Sequence, residues 1–184
     1  MAPGESIRSP RAHTPDGGVL LGGADVSRRL VLFEDPQCPY CRQFEEISGG
    51  LLRDAWQRGD VAIEYRMRCF LGVESVRADN ALALAAELNL FDELRGELFA
   101  SQPEEASGGF TNEDLVLLGQ RVGLTDPDYR DGVRTGRYER WARSVEIEFQ
   151  RQDPQGTPAA WFNGRPVDSG VLTDTRSLAA LVRS

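Results

Sequence analysis

The sequence predicts an α/β fold, a mixed sheet whose two halves are separated in the chain by an all-helical block. Three observations predict it. Residues 30–67 read as strand, helix, strand; residues 71–152 hold at least four helical patterns and no good strand; and strands return after Ala159 as a hairpin, followed by one more helix. A strand–helix–strand unit gives a right-handed parallel pair, and the hairpin adds antiparallel strands to the same sheet. The expected organisation is a flexible arm at 1–17, a sheet domain made of 18–70 and 153–184, and a helical insertion at 71–152.

Taken in order, residues 1–17 carry Pro, Gly and charge without periodicity, as expected of a loose arm, and the lone histidine, His13, is expected to be solvated there. Gly18 to Leu21 reads as a short edge strand. Leu30-Val31-Leu32-Phe33 is a continuous apolar run, the pattern of a central strand covered on both faces. Phe44, Ile47, Leu51, Leu52 and Ala55 then fall at helical spacings. Gly49-Gly50 inside that helix costs about 1–2 kcal/mol of propensity, so a kink or break is expected there. Val61, Ile63, Tyr65 and Met67 alternate as a second strand.

In the helical block, Ser75 is a candidate cap for a helix bearing Ala78, Ala81, Leu82, Ala85 and Leu88. Phe91 to Ala100 forms the next. Thr111 to Asp114 resembles a capping box opening a helix that Gly123 closes. Asp126-Pro127 opens another. A last one is read from Gly136 to Gln150. Phe91, Phe99, Trp141 and Phe149 are expected in the core, and Glu104-Glu105 in a surface loop. Asn163-Gly164 between Ala159–Phe162 and Arg165–Val167 is a strong two-residue hairpin signal. Thr173 is a candidate cap for a terminal helix.

Composition narrows the chemistry. The 184 residues carry a net charge of −8, and all 21 positive charges are Arg. The absence of Lys excludes Schiff-base and phosphate-loop lysine chemistry. With no basic stripe, no nucleic-acid partner is expected. Three cysteines are too few for a disulfide scaffold. The first ten residues have no apolar signal segment and no run approaches a membrane span. A cytoplasmic protein is therefore expected, or an extracytoplasmic one if a leader has been trimmed.

The chain is organised around Asp35-Pro36-Gln37-Cys38-Pro39-Tyr40-Cys41-Arg42. Two thiols separated by two residues, at a strand-to-helix turn, suit a dithiol that cycles with a disulfide. Cys38 is expected to attack and Cys41 to resolve. A free cysteine is only about 3% thiolate at pH 7, and lowering its pKa by two units takes about 2.7 kcal/mol. Unpaired N–H groups and the dipole at a helix start are of that order. Pro39 at the first helical position sacrifices no hydrogen bond. Cys41, three residues on, shares the helical face of Cys38. Two other readings of the pair stay open: half of a zinc site completed by Cys69 and His13, or an inert structural pair. Cys69 itself reads as a small buried apolar residue, with a third reactive thiol as the alternative.

Phe33-x4-Cys38-Pro39-Tyr40-Cys41, followed by Gly156-Thr157-Pro158 directly before an antiparallel hairpin, resembles the thioredoxin fold. The resemblance implies a cis bond at Thr157–Pro158, a loop facing Cys38, and a Thr157 backbone that pairs with an extended substrate segment. Cys41 and Pro158 are 117 positions apart, far more than in small thioredoxins. That spacing, with Asp35-x2-Cys38-Pro39-Tyr40-Cys41, Arg77-Ala78-x-Asn80-Ala81-Leu82 and Asn163-Gly164, resembles the bacterial DsbA-like thiol-disulfide oxidoreductases, a thioredoxin-like mixed sheet with an inserted helical domain. The resemblance implies a redox-active disulfide with no metal or organic cofactor. The partners implied are protein or peptide thiols and disulfides, with a redox partner or low-molecular-weight thiol for recycling.

Two departures stand out. Many members carry an acid six residues before the first Cys; here Leu32 occupies that position, with Glu34 and Asp35 as alternative proton acceptors. Glu34 otherwise reads as a plain strand end. Tyr40 stands where the best-known strong oxidant of the family has His, so the resemblance implies a less extreme potential, with an exposed aromatic platform beside the sulfur as the alternative reading of Tyr40. The rival functions are a thiol transferase or isomerase acting on small organic substrates, which needs an enclosed apolar pocket over Cys38 and no Cys41, and a non-catalytic zinc- or partner-binding module.

Overall fold

The computed structural model describes residue 10, residues 12–152 and residues 154–183. Its sheet contains β1 (Val19–Leu21), β2 (Arg29–Glu34), β3 (Ala62–Met67), β4 (Ala159–Phe162) and β5 (Arg165–Pro166). The strand order is β1-β3-β2-β4-β5. β2 and β3 are parallel, and every other pair is antiparallel. β2 is therefore central, as its apolar run requires. The hairpin turn puts Asn163 at φ 47° and Gly164 at φ 78°, the positive-φ pair of a type I′ turn.

The helix leaving β2 is α1 (Pro39–Phe44). It continues through a π-turn (Glu45–Gly49) into α2 (Gly50–Gln57). The irregularity expected at Gly49-Gly50 is thus a widened turn within one helical course, and both glycines keep right-handed helical backbone. Between β3 and β4 lie α3 (Val73–Glu87), α4 (Phe91–Ala100), α5 (Asn112–Arg121), α6 (Pro127–Thr135) and α7 (Glu139–Arg151); α8 (Ser169–Thr173) and α9 (Thr175–Arg183) close the chain. Thr111 and Asp114 form the expected capping box of α5, and Asp126 caps α6. No helix among the described residues is long and apolar enough to cross a membrane.

Three expected helix ends are corrected. Ser75 lies inside α3, which starts at Val73 after Gly72; its hydroxyl is used elsewhere. Gly136, at φ 62°, closes α6 in left-handed conformation rather than opening α7. Thr173 ends α8, and the adjacent Asp174 caps α9 by accepting from the N–H groups of Arg176 and Ser177 at 3.3 and 3.1 Å.

The alternation of β3 produces two different buried faces. Ile63, Tyr65 and Met67 join the main apolar core. Glu64 and Arg66 face the other way, yet both are buried. Arg66 is held by Glu64 (2.9 Å), Gln152 (2.6 Å) and Asp16 (3.0 Å), and stacks over the rings of Phe33 and Phe149. The polar face is therefore covered by α7 and by residues 14–17 rather than by water. Of the stretch read as an arm, residues 1–9 and 11 lie outside the described residues. The Thr14 hydroxyl donates to Glu64 at 3.0 Å. His13 is not solvated: it meets the Trp141 ring edge-on at 4.4 Å, and burial lowers its pKa to about 4.

Candidate active site

Cys38 is the N-cap residue of α1, with extended backbone (φ −71°, ψ 119°), and Pro39 follows at the first helical position. The turn is closed by the Cys38 N–H donating to the Asp35 carbonyl at 2.9 Å and by the Cys41 N–H donating to the Cys38 carbonyl at 3.1 Å. Both cysteines are free thiols. Cys38 is 5% exposed and Cys41 is fully buried; Phe99 and Leu71 pack against them. The Thr157–Pro158 bond is cis. Its loop meets the dithiol directly: the Cys38 S–H donates to the Thr157 carbonyl at 3.3 Å.

The two thiols are driven apart electrostatically. The Cys38 pKa falls from 9.0 to about 6, because the Cys41 S–H donates to its sulfur; the Thr157 side chain and the N–H groups of Cys41 and Tyr40 assist, against a burial penalty. The Thr157 carbonyl accepts only from the thiol form, so that contact opposes ionisation; the donors outweigh it. The Cys41 thiol is pushed well up, first by burial, then by its bond to Cys38 and by the charge of Glu34. A lowered outer thiol and a raised inner one is the arrangement thiolate chemistry needs.

Glu34 ends β2 as the strand reading says, but it is far from a plain strand end. It is fully buried and accepts a two-pronged grip from Arg95, Nε to Oε2 at 2.6 Å and Nη2 to Oε1 at 2.8 Å. Burial raises its pKa and Arg95 opposes the rise. Leu32, at the position where an acid is common, is buried in the apolar core; a buried acid is present all the same, two residues later. Asp35 organises the loop. It accepts from the N–H groups of Gln37 (2.9 Å) and Leu71 (3.3 Å), and from the Ser75 hydroxyl (2.6 Å). Burial pushes its pKa up to about 6 against those donors.

Four residues of the site carry no motif that marks them in the sequence. Gln37 donates to Ser75 Oγ at 2.9 Å and accepts from the Ala106 N–H at 3.2 Å. Gln102 donates to the carbonyls of Pro36 and Cys38 at 2.8 and 3.0 Å. Ser75, with only a cap signal in the sequence, donates its hydroxyl to Asp35. The signal at Arg95 is its spacing from Phe91 and Phe99, which places it on the apolar stripe of α4, a position where a charge calls for a partner.

Tyr40 is 70% exposed and stands on the rim of a groove of about 340 Å³ floored by Phe44, Ile47, Pro158 and Leu172. A larger cavity of about 700 Å³ lies between β1, α2 and α4, lined in part by Arg53, Trp56 and Asp92; the smaller groove is the one bordered by Tyr40 of the dithiol turn and by Thr157, whose carbonyl meets Cys38. Cys69 is buried with its S–H toward the Ala142 carbonyl at 3.5 Å, in the main core rather than with the other two sulfurs. Cys69 and His13 thus both rest on α7. No group of three or more His, Cys, Asp or Glu side chains converges on a metal position among the described residues.

Comparison with known proteins agrees with this architecture. A search of curated proteins finds no match. Among solved structures, the MdbA thiol-disulfide oxidoreductase of Actinomyces oris superposes with a TM-score of 0.81 at 21% identity, over 94% of this chain and 90% of that one. Oxidised BdbD of Bacillus subtilis gives 0.79 at 20% identity, over 96% and 97%. Oxidised DsbA of Mycobacterium tuberculosis gives 0.71 at 20% identity, over 90% and 97%. The chain thus has the thioredoxin-like fold with a helical insertion that these proteins share. The thioredoxin family model matches residues 14–178, and the chain belongs to that family.

Proposed function

We propose that the protein is a DsbA-like thiol-disulfide oxidoreductase that exchanges disulfides with protein or peptide thiols through Cys38 and Cys41. One observation carries the reading: of two thiols one helical turn apart, the outer is drawn down to about 6 while the inner is sealed and raised. In the oxidised form, a substrate thiolate attacks Cys38 Sγ, the Cys38–Cys41 bond breaks, and Cys41 leaves as a thiolate that takes up a proton. A second substrate thiolate then attacks the substrate sulfur of the mixed disulfide and Cys38 leaves. In the reverse direction Cys38 attacks a substrate disulfide and Cys41 releases the product. Each step balances with sulfur alone. Pro39 starts the helix, Thr157 and Pro158 bound the sulfur on its open side, and Glu34 is the buried proton acceptor. Asp35, with every contact spent on the loop, serves shape first.

A peptide substrate is favoured by the groove beside Cys38, an open furrow with an exposed aromatic rim, rather than a sealed pocket of the kind a small organic substrate needs. The described proteins of the same fold support the same class of chemistry.

The test is a pair of substitutions. Cys38→Ser should abolish insulin reduction and thiol oxidation, and Cys41→Ser should accumulate mixed disulfides at Cys38. Full activity in Cys38→Ser would overturn the mechanism.

A further inference from the structure

Linked to the dithiol through Phe99 is a set of mostly buried charges that thiol exchange alone does not explain. Arg95, 1% exposed, comes from α4 of the helical insertion. Besides its grip on Glu34, its Nη1 lies 2.7 Å from Glu45 Oε2 in the π-turn, and 3.8 Å from Asp92 on its own helix. The Glu45 contact is an ion pair off the axis of a hydrogen bond. The guanidinium is sandwiched by Tyr65 and Phe99, 4.4 and 5.2 Å from the ring centres, and Phe99 also packs on both sulfurs. Asp92 is paired in turn with Arg53 of α2 at 2.5 Å. Buried ion pairs are poor sources of stability, since apolar residues of similar volume often serve as well. This one shares Phe99 with the two cysteines, and its carboxylate acts on the Cys41 thiol, which calls for another explanation.

We propose that Arg95 is a positioning residue for the resolving half-reaction: it holds Glu34 as the buried carboxylate that takes the Cys41 proton and later returns it. This rests on the assignment of Cys38 as attacking and Cys41 as resolving sulfur. The groups facing Glu34 are Arg95 and Asp92 from α4, Glu45 from the π-turn, Cys41 from α1 and Tyr65 from β3. In the linked cluster three carboxylates (Glu34, Glu45, Asp92) meet two guanidiniums (Arg95, Arg53). One carboxylate is in excess, so the cluster has room for one proton. An ionised Glu34 opposes ionisation of Cys41; passing the proton from Cys41 to Glu34 removes that opposition and leaves the local charge unchanged, the low-cost course in a low dielectric. Without Arg95, desolvation would keep Glu34 protonated and unable to accept.

The step balances. In resolution the Cys41 S–H gives its proton to Glu34, and the Cys41 sulfur attacks Cys38 Sγ of the mixed disulfide. The bond from Cys38 to the substrate sulfur breaks, and the substrate leaves as a thiolate with the electron pair. In this step the Cys41 sulfur is oxidised to the disulfide level, the substrate sulfur is reduced to a thiolate, and Cys38 stays at the disulfide level. In the opposite direction Cys41 leaves as the thiolate and Glu34 returns the proton.

The test is stopped-flow reaction of reduced protein with a nitrobenzoate disulfide that releases a coloured thiolate. The first release reports attack by Cys38, the second attack by Cys41. In Arg95→Met the first release should keep its rate within about two-fold, while the second slows at pH 7 by about ten-fold and its inflection rises by about one pH unit or more. Arg95→Lys, which keeps the charge, should recover most of the second release; Glu34→Gln should slow it and remove its inflection. If the first release is missing in wild type or survives in Cys38→Ser, the thiol-exchange reading itself falls. If the first release is intact and the second follows the wild-type pH profile in both Arg95→Met and Glu34→Gln, the role of Arg95 falls. Should Arg95→Met not fold, Glu34→Gln decides, because Arg95 then keeps Glu45 and Asp92 as partners: loss of the inflection supports the proposal and an unchanged profile overturns it.

Discussion

The Cys38 sulfur lies 3.3 Å from the Thr157 carbonyl oxygen, a contact made across 119 residues of chain. It is possible because β2 and β4 are neighbours in the sheet, with Phe33 opposite Ala159. The turn after β2 and the loop before β4 then emerge side by side. The helical insertion lengthens the chain between the two cysteines and the proline without separating them in space.

The thiolate of Cys38 should be visible directly. Absorbance at the thiolate band should titrate with an inflection near 6 in reduced protein. Cys41→Ala removes the largest stabilising donor, so the inflection should move up toward the ordinary thiol range. The sign of the linkage follows. The folded pKa lies below the unfolded one, so Cys38 contributes stability to the reduced form that is complete above the unfolded pKa of about 8.5 and is lost as pH falls through about 6. Melting temperatures of reduced and oxidised protein between those limits should converge or cross in favour of the reduced form as pH rises; a constant gap would contradict a depressed Cys38.

Asp35 gives the opposite sign. Its folded pKa of about 6 lies above the unfolded value, so its contribution weakens stability as pH rises through the interval between the two. Ser75 donates to it at 2.6 Å and accepts from Gln37 at 2.9 Å. Ser75→Ala should cost about 1–3 kcal/mol, the penalty for a buried polar group left short of a partner. The loss should be larger at pH 7, where the carboxylate is charged, than at pH 4. Urea unfolding at the two pH values measures this, and equal losses would show that the hydroxyl does not serve the ionised form.

What was legible in the sequence was local or periodic. The apolar run of β2, the dithiol spacing, the Asn163-Gly164 turn and the capping box at Thr111 each carry their signal within a few residues. Helix ends with two adjacent candidates were not legible: Thr173 and Asp174 can both cap, and only the geometry shows that Asp174 reaches two N–H groups. His13 has the sequence context of a solvated residue, because nothing near it in the chain announces Trp141. The supports of the site, Gln37, Gln102 and Arg95, are polar residues whose partners lie tens of residues away. A pattern can show that Arg95 interrupts an apolar stripe, but it cannot name Glu34 as its partner.

The groove separates peptide from small-molecule chemistry. Ile47 is 49% exposed and contributes apolar surface to the groove bordered by Tyr40, Thr157 and Pro158. Ile47→Glu should raise KM for a peptide disulfide several-fold, on the order of 1 kcal/mol of lost apolar contact. Its rate with a small aryl disulfide should stay near wild type. Equal losses on both substrates would mean that the groove does not bind the peptide.

The paired glycines offer a test of the charge cluster that leaves both sulfurs untouched. Gly50 has helical backbone (φ −61°, ψ −41°), and a Cβ there would meet nothing within 4 Å. Gly50→Ala should therefore stabilise by about 0.5–1 kcal/mol, through helix propensity alone. Gly49 has nearly the same backbone (φ −57°, ψ −44°), so propensity predicts the same gain. A Cβ at Gly49, however, would sit 2.3 Å from the Glu45 carboxyl group. That carboxyl is held by Arg95 at 2.7 Å and Arg53 at 3.6 Å, so it yields only by giving up its ion pairs. Gly49→Ala should forfeit the propensity gain and destabilise the fold, with the difference between the two variants on the order of 2 kcal/mol or more. Replacing Glu45 by Gln in the Gly49→Ala background should recover part of the loss, because the displaced group then carries no charge to strand. Denaturant midpoints of the two single variants and the double variant measure all three terms. If Gly49→Ala stabilises as much as Gly50→Ala, the Glu45 carboxyl does not occupy the place that the glycine leaves open.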